Sequence, residues 1–300
     1  MSKHSTGATG KVVAGLGFGI AVGTALGFFA IAPNVPGGPV AKDSSAEQKL
    51  KDEKAAREKA EGNSAASDKV LSSVAGPAVH NLLRGASVDL FVLPDADQAN
   101  VDSLKHLVKM AGGKVNGVVE LTDKALGSDG GDTLKSIAAN SLPAGAKLSE
   151  DNLAPGMHTG QLLGAALSAG EHEASETDRG IALGALANDD FIAYQGEAPK
   201  PADLALVVGG NTSDDEAHGN YGTKFAAEFA AGLDSHMKGA VLAAESDSAE
   251  DNGAIGQVRA DNSMKEAVST VDNADTVAGR IAAIRALAQQ KNGKSGHYGA

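Results

Sequence analysis

Three hundred residues suffice for a membrane anchor and one full domain. An aromatic fraction of 3%, with no Trp, leaves Ala, Val, Leu and Ile to supply most of the core. The net charge of -12 divides into +2 over residues 1–11, zero over 42–61 and therefore -14 elsewhere, a field that repels phosphate backbones and excludes nucleic acid as an expected partner. The absence of Cys excludes disulfides, thiolate zinc sites, iron–sulfur clusters and a Cys nucleophile, and it suits an oxidising compartment.

In chain order, residues 1–11 form a short tail holding Lys3 and Lys11 without an acid. Residues 12–32 (VVAGLGFGIAVGTALGFFAIA) are uncharged and predict a transmembrane helix of about 31 Å. The lysines place the tail in the cytoplasm and the remainder across the membrane. A cleaved signal peptide is the rival reading, since Ala30-Ile31-Ala32 resembles a cleavage site; the length of the apolar run favours an uncleaved anchor. Gly15, Gly19, Gly23 and Gly27 recur every fourth residue, the small-residue stripe by which transmembrane helices associate, and predict a homodimer.

Residues 33–62 are expected to form a linker, PNVPGGP, and a stalk helix over Ser44–Glu61. Its Glu47–Lys51 and Glu53–Arg57 pairs have the favourable i,i+4 order. With Leu50 its one large apolar residue, the stalk is a weak coiled coil or a solvated helix.

Residues 63–300 read as a soluble α/β domain. Apolar runs at Val88–Leu93, Val115–Leu121, Phe191–Tyr194, Leu204–Val208, Ala240–Ala243 and Ala267–Val271 predict strands. Helical patterns near Lys69–Leu83, Val101–Met110, Asp132–Asn140, Gly160–Leu167, Thr177–Leu186, Lys224–Leu233 and Arg280–Gln290 alternate with them. This predicts a mostly parallel sheet flanked by helices, Rossmann- or flavodoxin-like, with a helical insertion or layer over residues 123–187.

In such folds ligands gather beyond the carboxyl ends of the strands, here the loops Pro94–Ala99, Thr122–Lys124, Gly209–Gly219, Glu245–Gly253 and Asp272–Gly279. Gly209-Gly210 follows a strand, but Asn211-Thr212-Ser213-Asp214-Asp215-Glu216 is acidic and lacks the Lys a phosphate loop requires. No G-x-S-x-G elbow or H-E-x-x-H motif is present, and no catalytic residue is assigned. Glu171-His172-Glu173, Asp214-Asp215-Glu216-Ala217-His218, Met157-His158 and His236-Met237 bring metal-ligand types together without metal-motif spacing. Met157 and His158 stand as copper-ligand candidates. So does His4: with Met1 removed, a free amine, two amides and the third-position imidazole would enclose Cu(II) in a square plane.

A wider pattern joins these pieces. It comprises Leu142-Pro143-Ala144-Gly145 with Leu148-Ser149, Gly160-Gln161-Leu162-Leu163-Gly164, Pro94-Asp95-Ala96 and Ala111-Gly112-Gly113. Ser269-Thr270-Val271-Asp272 before Gly279-Arg280-Ile281, and the terminal His297-Tyr298-Gly299, complete it. From the anchor to the end the chain resembles the actinobacterial copper-transport MctB family, which includes SteB-type division proteins. The resemblance implies a cell-envelope protein of copper export and homeostasis, described for some members as an outer-membrane pore, with copper as a possible ligand and no established ligand residues. The residues themselves lack the aromatic girdles and long alternating strands of a membrane barrel. Three expectations follow: a non-enzymatic anchored protein of copper efflux, a dimeric anchored scaffold for a cell-division or cell-wall partner, and a sensor holding a small ligand at the strand ends.

Overall fold

The computed structural model describes residues 42–170, 173–194, 196–210 and 220–299. The predicted anchor and its glycine stripe lie outside these. None of the described helices is long and apolar enough to cross a membrane. Two units are distinguished, residues 1–64 with 300, and residues 65–299.

The first helix, α1, spans Lys42–Val79. The sequence reading breaks this stretch near Asn63, but the helix continues through it, because Gly62 and Asn63 are followed by Ala, Ser, Asp and Lys, which sustain helical geometry. Beyond it come β1 (Ser87–Val92), α2 (Gln98–Met110), β2 (Lys114–Leu121), α3 (Asp123–Leu126), α4 (Gly131–Asn140), α5 (Pro155–Leu167), α6 (Glu176–Asn188) and β3 (Ile192–Ala193). The second half comprises β4 (Leu204–Val208), α7 (Tyr221–Asp234), β5 (Ala240–Ala243), α8 (Ala254–Ala260), α9 (Asn262–Ala267), β6 (Ser269–Val271), α10 (Val277–Gln290) and β7 (His297–Tyr298).

The strands form one sheet in the order β3-β2-β1-β4-β5-β6-β7, parallel except for β3. The chain winds outward from β1 to β3, then returns to the other side of β1 as β4, so the winding reverses between the carboxyl ends of β1 and β4. Alternation along β1 sends Val88, Leu90 and Val92 to a layer formed by the end of α1, α2 and α10. Phe91 and Leu93 face the opposite layer, built largely by α4 to α8. Helices α3 to α6 lie between residues 123 and 188 and serve that second layer. The few aromatic rings are concentrated there: Phe91 meets Phe229 edge-on at 5.5 Å, and Phe225 stacks on Phe229 at 6.0 Å.

The largest departures from the sequence reading lie at the last two strands. Ala267 ends a helix rather than starting a strand, because Asp261 caps α9 by accepting from the Met264 N–H at 2.9 Å. The strand after it is therefore only Ser269–Val271. The unforeseen β7 pairs with β6 and is held by Arg259. The Arg259 guanidinium donates to Asp272 Oδ2 at 2.6 Å, to Thr270 Oγ1 at 3.0 Å and to the Tyr298 carbonyl at 2.9 Å.

Helix α5 is buried on nearly every side and lies against α7. Gly156, Gly160 and Gly164 line one face at i,i+4 spacing. A Cβ on Gly160 would overlap the Phe229 carbonyl, one on Gly156 would stand 2.5 Å from the Phe225 carbonyl, and one on Gly232 of α7 would overlap the Met157 carbonyl. The two backbones meet directly at this seam.

Burial opposes the charged form of several carboxyl groups, most of all Asp89 and the half-buried Asp234. Asp89 of β1 is fully inaccessible, and burial pushes its pKa well above the ordinary carboxylate range. It sits at a register shift where Val88 faces Val115 but Asp89 faces Gly117. Burial lifts Asp234 to about 6, opposed by the Ala240 N–H that it accepts at 2.9 Å.

Gly160→Ala is expected to destabilise the protein by about 1–3 kcal/mol through overpacking. Gly180→Ala on α6, where a Cβ meets nothing within 4 Å, is expected to stabilise by about 0.5–1 kcal/mol. Urea denaturation of both variants checks the contrast. Arg259→Ala leaves Asp272, 1% exposed, without its guanidinium and is expected to cost about 3–5 kcal/mol in the same assay. For Asp234 the folded-state value lies above the unfolded one, so its contribution is complete below 3.8 and is lost as pH rises toward about 6. The stability difference between wild type and Asp234→Asn is therefore expected to change across that window and be flat above it, measured by denaturation as a function of pH.

Candidate functional site

Four of the five loops singled out at the strand ends converge on one crevice of about 310 Å³. Its floor comprises Leu93 beyond β1 with Leu242 and Ala244 at the end of β5. Gly222, Thr223 and Ala226 of α7 form one wall, and Leu126 and Gly127 at the end of α3 form another. Asp95 and Asp123 line it as well. It occupies the place where the winding of the sheet reverses, the usual ligand position of doubly wound folds.

Local geometry explains the shape. Pro94 and Asp95 turn the chain out of β1, and Asp97 caps α2 by accepting from the Ala99 N–H at 2.6 Å. Gly210 lies against Asp95 so closely that a Cβ would overlap the Asp95 carbonyl. Ser248, buried in the wall, donates its hydroxyl to the Glu245 carbonyl. The fifth loop contributes charge: the acidity of Glu245 is weakened by its burial and then by Asp275, Asp97, Asp95 and Asp247.

The copper-ligand candidates lie elsewhere. His158 is buried on α5, and its Nε2–H donates to the Ser149 carbonyl at 3.0 Å. Gln161 Oε1 accepts from the Ser149 N–H at 2.8 Å, and Ser149 Oγ accepts from the Asn152 N–H at 2.9 Å. His158 and Gln161 thus clamp the loop before α5 at Ser149. Met157 is partly buried against the core. Met237 is in the core, and burial holds His236 below the usual imidazole range. His4, Glu171-His172 and Asp214–His218 lie outside the described residues. Among the described residues no three His, Asp or Glu side chains are grouped closely enough to hold a metal ion.

Several motifs of the wider pattern are accounted for by packing. Leu148-Ser149 and Gly160-Gln161 are the two halves of the Ser149 clamp. Asp272 and Tyr298 are tied through Arg259. Arg280 joins α10 to α2 by donating to Asn100 Oδ1 at 2.9 Å. Thr223 and Ala254 in the crevice carried no sequence signal, since each is a common residue brought in by long-range folding.

Residues 12–300 match the family model described as "Copper transport outer membrane protein, MctB". The chain is 37% identical over 234 residues to the copper transporter MctB of Mycobacterium leprae (strain TN), covering 75% of this chain and 73% of that protein. It is 36% identical over 241 residues to the copper transporters MctB of Mycobacterium bovis and of Mycobacterium tuberculosis H37Rv, covering 78% of this chain and 76% of each. With a family model spanning almost the whole sequence and relatives matched over three quarters of it, the chain belongs to the MctB copper-transport family.

Proposed function

We propose that this protein is a non-enzymatic, membrane-anchored envelope protein acting in copper efflux and homeostasis. The observation that carries the reading is the family match, which begins at residue 12, the first residue of the uncharged apolar segment, and runs to residue 300. The relatives' names supply copper transport; the segment and its flanking lysines supply an anchor with a cytoplasmic tail and an extracytoplasmic main domain.

A single helix cannot enclose a channel, so a copper path requires an assembly. The Gly15–Gly27 stripe provides a dimer seam for it. Met157 and His158 serve the fold in this reading, through the core and the Ser149 clamp, and His4 is the remaining copper-ligand candidate of the sequence.

A second reading, an anchored dimeric scaffold for a cell-division or cell-wall partner, draws support from α1. Val70 and Val74, one turn apart, are 66% and 45% exposed, a surface of the kind that other proteins cover.

Cell-associated copper in a deletion strain grown with sub-toxic copper separates the two readings. Accumulation reversed by the wild-type gene is expected for copper efflux. Unchanged copper would overturn that reading and leave the scaffold.

A further inference from the structure

We propose that the crevice at the strand ends is a binding site for a small organic cation, a primary amine carried on a short apolar arm. The cavity supplies the first half of the argument. At about 310 Å³ it falls at the lower end of the range of small-molecule sites, and its floor is apolar. Leu93, Leu242 and Ala244 bury an apolar arm of a few carbons, while Gly222 and Gly127 add no side chain to the walls.

The charge of the lining supplies the second half. Asp95 and Asp123 line the cavity, and no Lys, Arg or His does so among the described residues. Beyond them lie Asp97, Glu245, Asp247 and Asp275, whose mutual field is felt at Glu245. The first turn of α7 opposes this with about half a positive charge, too little to reverse the sign set by two lining carboxylates. A phosphate or carboxylate ligand is repelled; an ammonium group relieves the repulsion.

A bare metal ion is a poorer match. It requires several ligand oxygens or nitrogens converging at bond distance, and no three-residue acidic or imidazole group of that kind occurs among the described residues. It would also leave the apolar floor unused. An ammonium accepts looser contacts, and its arm fills the floor.

Two probes of similar size and opposite charge test the assignment: phenethylamine and 3-phenylpropionate, titrated by calorimetry into the full-length protein in detergent. Phenethylamine is expected to bind saturably with a Kd of about 1 mM or tighter, weakening with added salt, while 3-phenylpropionate does not bind. Asp95→Asn with Asp123→Asn is expected to weaken the amine at least about tenfold. Both side chains are exposed, so the variant is expected to unfold as wild type does. The single charge reversal Asp123→Lys serves as a second variant and is expected to abolish binding. No saturable binding of the amine, equal binding by the anion, or unchanged affinity in both variants would each overturn the proposal. Copper handling in the deletion strain is independent of all these outcomes.

Discussion

The direct contact of two helix backbones, α5 on α7, is the constraint on which the domain depends. An ordinary helix pair is held about 8–10 Å apart by side chains. Gly156, Gly160 and Gly232 remove that spacer, and carbonyls of each helix occupy the space where the other's Cβ atoms would stand. The close approach places Phe229 of α7 against Phe91 of the sheet, with Phe225 stacked on Phe229. The same helix supplies Gly222, Thr223 and Ala226 to a wall of the crevice. A core short of large side chains gains density by bringing backbones together, and Phe91, Phe225 and Phe229 sit where α7 packs onto β1.

Polar groups inside this packing act as fasteners for long-range joints. Ser149 engages its N–H, carbonyl and hydroxyl at once, through Gln161, His158 and Asn152, and so holds the loop that enters α5. Arg259 gathers Thr270, Asp272 and Tyr298 and gives the two-residue β7 an anchorage that two backbone pairs alone would not provide. Each fastener joins segments that sequence periodicity cannot connect.

The division between what was legible in the sequence and what was not follows from this. Leu204–Val208 and Ala240–Ala243 are continuous apolar runs buried on both faces of a parallel sheet, and their limits follow directly from the pattern. The helices near Asp132 and Glu176 were equally plain. His297–Tyr298 has no strand signature, because its pairing depends on Arg259, almost forty residues earlier. The Gly-Gln-Leu-Leu-Gly stretch was visible as a motif, yet its meaning requires the partner helix. His158 beside Met157 read as a metal-ligand pair because sequence shows adjacency and cannot show that the imidazole already holds a carbonyl. The strand-end loops were identified as a group, and four of them meet in the crevice, but the small residues that shape its walls gave no warning.

That crevice inverts the usual chemistry of its fold. Doubly wound proteins commonly place a glycine-rich turn after a strand so that backbone N–H groups and a helix N-terminus can approach a phosphate. Here the corresponding Gly209-Gly210 pair follows β4 rather than β1, and Gly210 is pressed against the Asp95 carbonyl. The space that glycine opens is filled by an acidic loop of the protein itself. With Asp95 on that contact and Asp97, Glu245, Asp247 and Asp275 around it, the strand ends present negative charge where the fold elsewhere presents donors to an anion. The architecture still determines where a ligand can sit, while the loop residues determine the sign of the ligand's charge.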